Sequence, residues 1–188
     1  MSLHYALLGL LNLKDMTGYE LAKVFEESIG FFWSAQMSQV YRELNTLEKG
    51  GYVVSVIEPQ EGKPDRRVYS TTDDGKSAFK QWLSQFPNTL KSPVRNEFLL
   101  RVFFGSGIEL EEMAYEVKRY IKEYQKQLEE LKKAEVLIKA YADFINDENA
   151  RFFWSLTLRG GYMDAETSMK WAEECLRLIE KKMKGEKC

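Results

Sequence analysis

Residues 34–76, SAQMSQVYRELNTLEKGGYVVSVIEPQEGKPDRRVYSTTDDGK, decide the fold of this 188-residue chain. Ser34 is a good helix N-cap. After it, Met37, Val40, Tyr41, Leu44 and Leu47 fall within about a third of the wheel at 100° per residue, which makes one apolar stripe. Ala35, Ser38, Gln39, Arg42 and Thr46 gather opposite. Gly50-Gly51 stops the helix. Tyr52 to Glu58 is rich in β-branched residues and predicts a strand. Pro59, Gly62 and Pro64 punctuate a loop that carries Lys63, Arg66 and Arg67, and Arg67 to Thr71 predicts the antiparallel return strand. A helix followed by a two-stranded ribbon with a cationic tip has the shape of a winged-helix reading head. Its implied partner is duplex DNA.

Upstream, Leu3, Leu7, Leu10 and Leu11 make an i, i+4, i+7, i+8 stripe and predict a helix over 2–13. Thr17-Gly18-Tyr19-Glu20 is a capping-box signature for a second helix, with Leu21, Ala22, Phe25 and Ile29 on one face and Gly30 at its end. Phe31-Phe32-Trp33 connects it to the third. Downstream, Thr72 caps a fourth helix with Asp73 and Asp74 at its positive end. Phe79, Trp82, Leu83 and Phe86 are its expected buried stripe. Ser92 followed by Pro93 predicts the start of a fifth helix, which carries Phe98, Leu99, Val102 and Phe103 and stops near Gly105.

From Glu109 the period changes. Val117, Ile121, Tyr124, Leu128, Leu131, Glu135, Ile138, Ala142 and Ile145 alternate steps of four and three, a heptad seam broken only by Glu135. After a turn at Asn146-Asp147, a second seam runs Leu158, Tyr162, Ala165, Met169, Ala172, Leu176, Ile179 and Met183. Two such helices form a hairpin whose excess apolar surface calls for a second subunit. The expected fold is therefore mainly α with a small β-ribbon: a winged helix-turn-helix over 1–86, a junction and connecting helix over 87–108, and a helical dimerisation domain over 109–188.

Composition limits the alternatives. The chain is 44% hydrophobic and 30% charged, which suits a soluble globular protein. No apolar run approaches the roughly 18 residues of a membrane span, and the N-terminus lacks a signal peptide's basic region and cleavage site. Its two cysteines, Cys175 and Cys188, have no metal-ligand spacing and fit a reducing cytoplasm. No P-loop, GxGxxG or nucleophile elbow is present, and the lone His4 has no catalytic company. Neither a cofactor nor an enzyme activity is expected. The formal charge of −2 and the pI of about 5.7 oppose a broad basic patch, but phosphate contact needs only local positive charge.

The expected DNA-contacting residues are Ser34, Gln36, Ser38, Gln39, Tyr41 and Arg42 on the third helix and Lys63, Arg66 and Arg67 in the wing. Gln can pair with adenine and Arg with guanine in the major groove, and wing cations suit phosphate or a minor groove. Glu58, Glu61 and Asp65 lie among those cations and weaken the local field. The competing reading is a winged-helix protein-interaction module that uses the same helix face. An aromatic-lined cavity for a flat small molecule is a further possibility, with Phe32, Trp33, Phe98 and Trp154 as candidates for its walls.

The elements GYEL (18–21), VYREL-LE-GGYV (40–53) and R-VY-TTDDG (66–75) give residues 3–85 a resemblance to the PadR family of bacterial transcriptional regulators. The C-terminal half resembles the longer-tailed subgroup, whose extra helices form the dimer. The resemblance implies a homodimeric winged-helix repressor on a palindromic operator, with the third helix, about 35–49, in the major groove. It also implies release from DNA by a small aromatic or hydrophobic effector. It transfers no effector-binding residue.

Overall fold

The structure is a computed structural model that describes residues 2–60, 62, 65–90 and 95–186. It divides into two compact units, one ending at Leu90 and the other beginning at residue 91.

The first unit is built on three helices, α1 (Ser2–Leu13), α2 (Gly18–Ser28) and α3 (Met37–Lys49). Their apolar stripes converge on Leu7, Leu8, Leu21, Phe25, Val40, Leu44 and Leu47, all essentially inaccessible to water. The Thr17 capping box is present in full. Thr17 Oγ1 accepts from the Glu20 N–H, and the Glu20 carboxylate accepts from the Thr17 N–H at 2.8 Å. Removing an N-cap hydroxyl of this kind costs about 1 kcal/mol. Thr17→Ala should lower unfolding stability by about that amount in a denaturant titration.

A three-stranded antiparallel sheet closes the unit, in the order β1 (Met16–Thr17), β3 (Arg66–Thr71), β2 (Val53–Glu58). The ribbon β2–β3 matches the sequence expectation, with Val53 opposite Thr71 and Glu58 opposite Arg66. The two-residue strand β1 was not expected. It pairs Met16 with Tyr69 and Thr17 with Val68, and two residues are too few for an alternation to show. Tyr69 and Val53 point from the sheet into the core.

Four local expectations are corrected. α3 begins at Met37, not Ala35, and Gln36 takes the cap position that Ser34 was expected to hold. Ser34 and Ala35 stay in the extended connector, and the Gln39 side-chain oxygen accepts from the Gln36 N–H at 2.7 Å. On the α3 stripe, Met37 and Tyr41 remain 48% and 40% exposed: Met37 is the first residue of the helix, and Tyr41 sits at the edge of the stripe with its ring against Gly18. α4 (Asp73–Ser84) is capped by Thr72 as expected, but of its expected stripe only Phe79 packs on the core. Trp82 stacks on Tyr5 at 4.9 Å, and Leu83 and Phe86 are 50% and 78% exposed, since α4 meets the unit along α1 and, at its start, against β3. At the start of α4, Gly75 lies so close to the Tyr52 carbonyl that a β-carbon would sit 2.1 Å from its oxygen.

The second unit holds α5 (Glu97–Phe103), a short 3₁₀ turn (Gly105–Gly107), and the long helices α6 (Leu110–Ile145) and α7 (Glu148–Met183). The fourth correction concerns α5. Ser92 and Pro93 lie outside the described residues, and Asn96 caps the helix by accepting from the Leu99 N–H. α5 packs on the hairpin: Phe98 and Val102 lie against the cluster of Met113, Val117 and Ala172.

The two heptad seams meet as expected. Val117, Leu131, Ala142, Leu158, Ala165 and Ala172 are buried between α6 and α7, and the alanines let the helix backbones approach closely. Met183, last in its seam, is exposed where the helix runs out of partner. Glu135 interrupts the α6 seam without being orphaned. It accepts from Lys139 on its own helix and from the Tyr162 hydroxyl of α7 at 3.1 Å. Asn146 adopts the left-handed conformation (φ 50°) that ends α6, and Asp147 caps α7.

Candidate nucleic-acid interface

The outward face of α3 carries Ser38, Gln39 and Arg42, all exposed, with Tyr41 exposed at its edge and Ser34 and Gln36 exposed just ahead of the helix. They share a face because Val40, Leu44 and Leu47 anchor the opposite one. Arg42 lies along the helix, with Nε donating to the Ser38 carbonyl at 3.3 Å, and no ion pair to it occurs among the described residues. Gln39 is engaged through its oxygen as an acceptor, so the long-reach donors of this face are its amide N–H groups and the Arg42 Nη groups. Tyr41 packs its ring over Gly18, where a β-carbon would meet the ring at 2.6 Å. The glycine of GYEL thus lets the start of α2 sit against the third helix.

The wing differs from the sequence expectation in one important respect. Lys63 lies outside the described residues. Arg66 and Arg67 are described, and both guanidinium groups are held by carboxylates of the same unit. Successive β-strand side chains point to opposite faces of the sheet, so the two arginines part company. Arg66 reaches α2, where its Nη2 donates to Glu20 at 3.1 Å. Arg67 reaches the last turn of α3. Its Nη2 donates to Glu48 at 2.6 Å and its Nε to the Ser55 hydroxyl at 2.9 Å, with the guanidinium over the Tyr69 ring. Ser55 donates in turn to Glu48 at 2.5 Å.

Both carboxylates are held below the usual carboxylate range. For Glu20 the main cause is the bond from the Thr17 backbone N–H, with the Thr17 hydroxyl and Arg66 assisting. For Glu48 it is the bond from the Ser55 hydroxyl, followed by Arg67. Burial pushes the Tyr69 phenol up. Sequence reading did not find Glu20, Glu48 or Ser55 as partners of the wing. The charges were visible, but the pairs span 46 and 19 positions and only the fold joins them. His4 also acquires a place, with Nδ1 2.8 Å from a Glu43 carboxylate oxygen and the ring edge-on to Tyr52, so it ties α1 to α3.

The aromatic candidates for a small-molecule site are divided between the two units. Phe32 and Trp33 are exposed in the first unit. In the second, Phe98 stacks on Tyr120 at 4.2 Å, and Trp154 stacks on Tyr141 at 6.1 Å near the hairpin turn. Tyr120 and Tyr141 are 21 positions apart on one helix, so these two clusters lie about 30 Å from each other. Burial, with the Tyr124 hydroxyl bond, raises the Tyr120 phenol to about 12. Among the described residues no cluster of His, Cys, Asp or Glu could hold a metal ion, and no helix is long and apolar enough to cross a membrane.

Comparison with known proteins agrees with this geometry along the whole chain. Residues 7–81 match the model of the "Transcriptional regulator PadR-like family", and residues 94–180 match that of "Virulence activator alpha C-term". The "Negative transcriptional regulator PadR" of Bacillus subtilis (strain 168) is 30% identical over 179 residues, covering 95% of this chain and 98% of that protein. Its crystal structure in complex with operator DNA superposes with a TM-score of 0.78 at 27% identity, over 95% of this chain and 99% of the other. Its complex with p-coumaric acid gives 0.71 at 26%, over 96% and 99%. The Vibrio cholerae virulence activator AphA gives 0.72 at 31% identity, over 95% and 98%. With one winged-helix unit, one long-helix unit and a relative of this identity along both, the chain belongs to the PadR-like family of transcriptional regulators, and is not an enzyme.

Proposed function

We propose that this chain is a cytoplasmic, homodimeric repressor that binds a palindromic operator through α3 and the wing. The observation that carries the reading is the outward face of α3. Ser38, Gln39 and Arg42 stand exposed beside a β-ribbon, in a chain similar over its length to a regulator solved with operator DNA. An α-helix fits the major groove, where Arg pairs with guanine and Gln with adenine in bidentate fashion. Ser34, Gln36 and Tyr41 flank that face, and Lys63, Arg66 and Arg67 flank the neighbouring backbone.

The winged-helix domain (1–86) would read DNA, and the C-terminal helices (109–188) would pair two subunits. Support for pairing comes from the hairpin, where the exposed Phe152, Leu156 and Met163 lie in an open groove with Ile138, Leu158 and Tyr162, rimmed by charges of both signs such as Glu135, Lys139, Arg151 and Glu166. A second copy would cover it. Two reading heads about 34 Å apart would then match half-sites one helical turn apart. Release by a small aromatic effector is supported by the relative solved with p-coumaric acid. Such a ligand must bind the free and DNA-bound conformations with different affinity.

The test is selection of bound fragments from the source genome, followed by a salt titration on the winning site. Affinity should fall steeply with salt, with a log–log slope of about −0.9 per phosphate contact. Salt-insensitive binding, or no enrichment of any fragment, would favour a protein partner for the α3 face. On the selected site, Arg42→Ala should cost about 1–3 kcal/mol of discrimination between the operator and a single-base variant. Equal loss on all sequences would assign Arg42 to phosphate.

A further inference from the structure

Glu20 and Glu48 are the residues that the DNA-binding reading leaves unexplained. The first unit is not basic: residues 1–90 hold nine Lys and Arg against eleven Asp and Glu. In a unit so balanced, each wing cation matters, yet both described wing arginines already face an anion. We infer that Glu20 and Glu48 act as internal surrogates for duplex phosphate on Arg66 and Arg67, so that DNA must displace or share these carboxylates and the affinity of the wing is held down.

A carboxylate presents two oxygens to the guanidinium fork much as a phosphate does, and Arg recognises both in the same planar mode. Glu20 takes Arg66 Nη2 with both oxygens, at 3.1 and 3.3 Å. Glu48 takes Arg67 Nη2 at 2.6 Å, while Ser55 takes Nε. These pairs are half-open to solvent, with Arg66 40% and Arg67 49% exposed, so an approaching polyanion can reach them. Each carboxylate is also held at its post by a neutral donor, Thr17 for Glu20 and Ser55 for Glu48, and remains in place and charged near neutral pH. A charge-balanced wing therefore follows from construction, and it gives a regulator that leaves its site readily.

The inference depends on the DNA-binding reading, and its test separates the two. Full-length wild type, Glu48→Gln, Glu20→Gln, Arg67→Ala and the double variant Glu48→Gln/Arg67→Ala are titrated with the selected operator duplex over a salt series. Gln is nearly isosteric with Glu and is accepted at the capping-box position, so Glu20→Gln keeps the start of α2. The two Gln variants are independent, so a folding failure in one leaves the other decisive. Freeing one arginine for phosphate should steepen the log–log slope by about 0.9 and raise affinity roughly tenfold near 0.1 M salt. The gain from Glu48→Gln should vanish in the Arg67→Ala background, since the released guanidinium is its cause.

Binding by wild type with no gain in either Gln variant, or with weaker binding at an unchanged slope, would overturn the inference alone and make both pairs struts of the wing. A gain of equal size in the Arg67→Ala background would overturn it too, because it would trace the effect to simple relief of repulsion. No binding by any of the proteins would sink the DNA reading and this inference together.

Discussion

A chain ending at Leu90 should be a monomer in sedimentation and should bind the operator on the order of 10²–10⁴ times more weakly than the full chain. The cut falls at the boundary between the two compact units, so it leaves the first core whole: Leu7, Leu21, Phe25, Leu44 and the rest all precede it. What it removes is the coupling of two heads. A dimer converts the second half-site contact into an intramolecular event at high effective concentration, and that gain is lost when the link is cut. Each head keeps its Arg42 face, so weak binding to a single half-site should persist. A shortened chain that still dimerises would place the dimer contact in the first unit and end the hairpin's proposed role. A shortened monomer with undiminished affinity would mean that one head supplies the whole interaction.

Phe25→Ala should have the largest effect on stability, about 3–5 kcal/mol by denaturant unfolding of the first unit. Phe25 is 1% exposed and lies on α2, where the stripes of α1 and α3 converge on it. Its loss removes a large apolar side chain and leaves a cavity that three helices and a sheet cannot easily close. Domains of this size are stable by only about 5–15 kcal/mol, so the variant should sit near its unfolding threshold at 37 °C. The second unit has its own core around Val117 and Leu131 and should keep its helical signal. A cost below about 1 kcal/mol would mean that the core repacks, and that Phe25 is not its keystone.

These two expectations differ in how far the sequence alone supports them. The heptad seams of α6 and α7 were legible because a period of about 3.5 residues is sustained for roughly eight turns in one and seven in the other, and the structure buries Val117, Leu131, Ala142, Leu158, Ala165 and Ala172 from those seams. Phe25 was legible as a stripe residue, though its central place was not, since periodicity names a face without saying what covers it.

The same line runs through the candidate interface. What the sequence by itself determined is local: the Thr17–Glu20 capping box, the Thr72 cap, the stop at Gly50-Gly51, the β2–β3 ribbon and the polar face of α3. Each depends on residues within a few positions, where backbone geometry alone decides which side chains can meet. Tertiary structure alone decided the start of α3 at Met37, the exposure of Met37, Tyr41, Leu83 and Phe86, and the short strand β1 against β3. It alone joined Arg66 to Glu20 and Arg67 to Glu48 across 46 and 19 positions. Charge is visible in a sequence, but the partner of a charge is set by which surfaces the core brings together, and that information is spread over the whole unit.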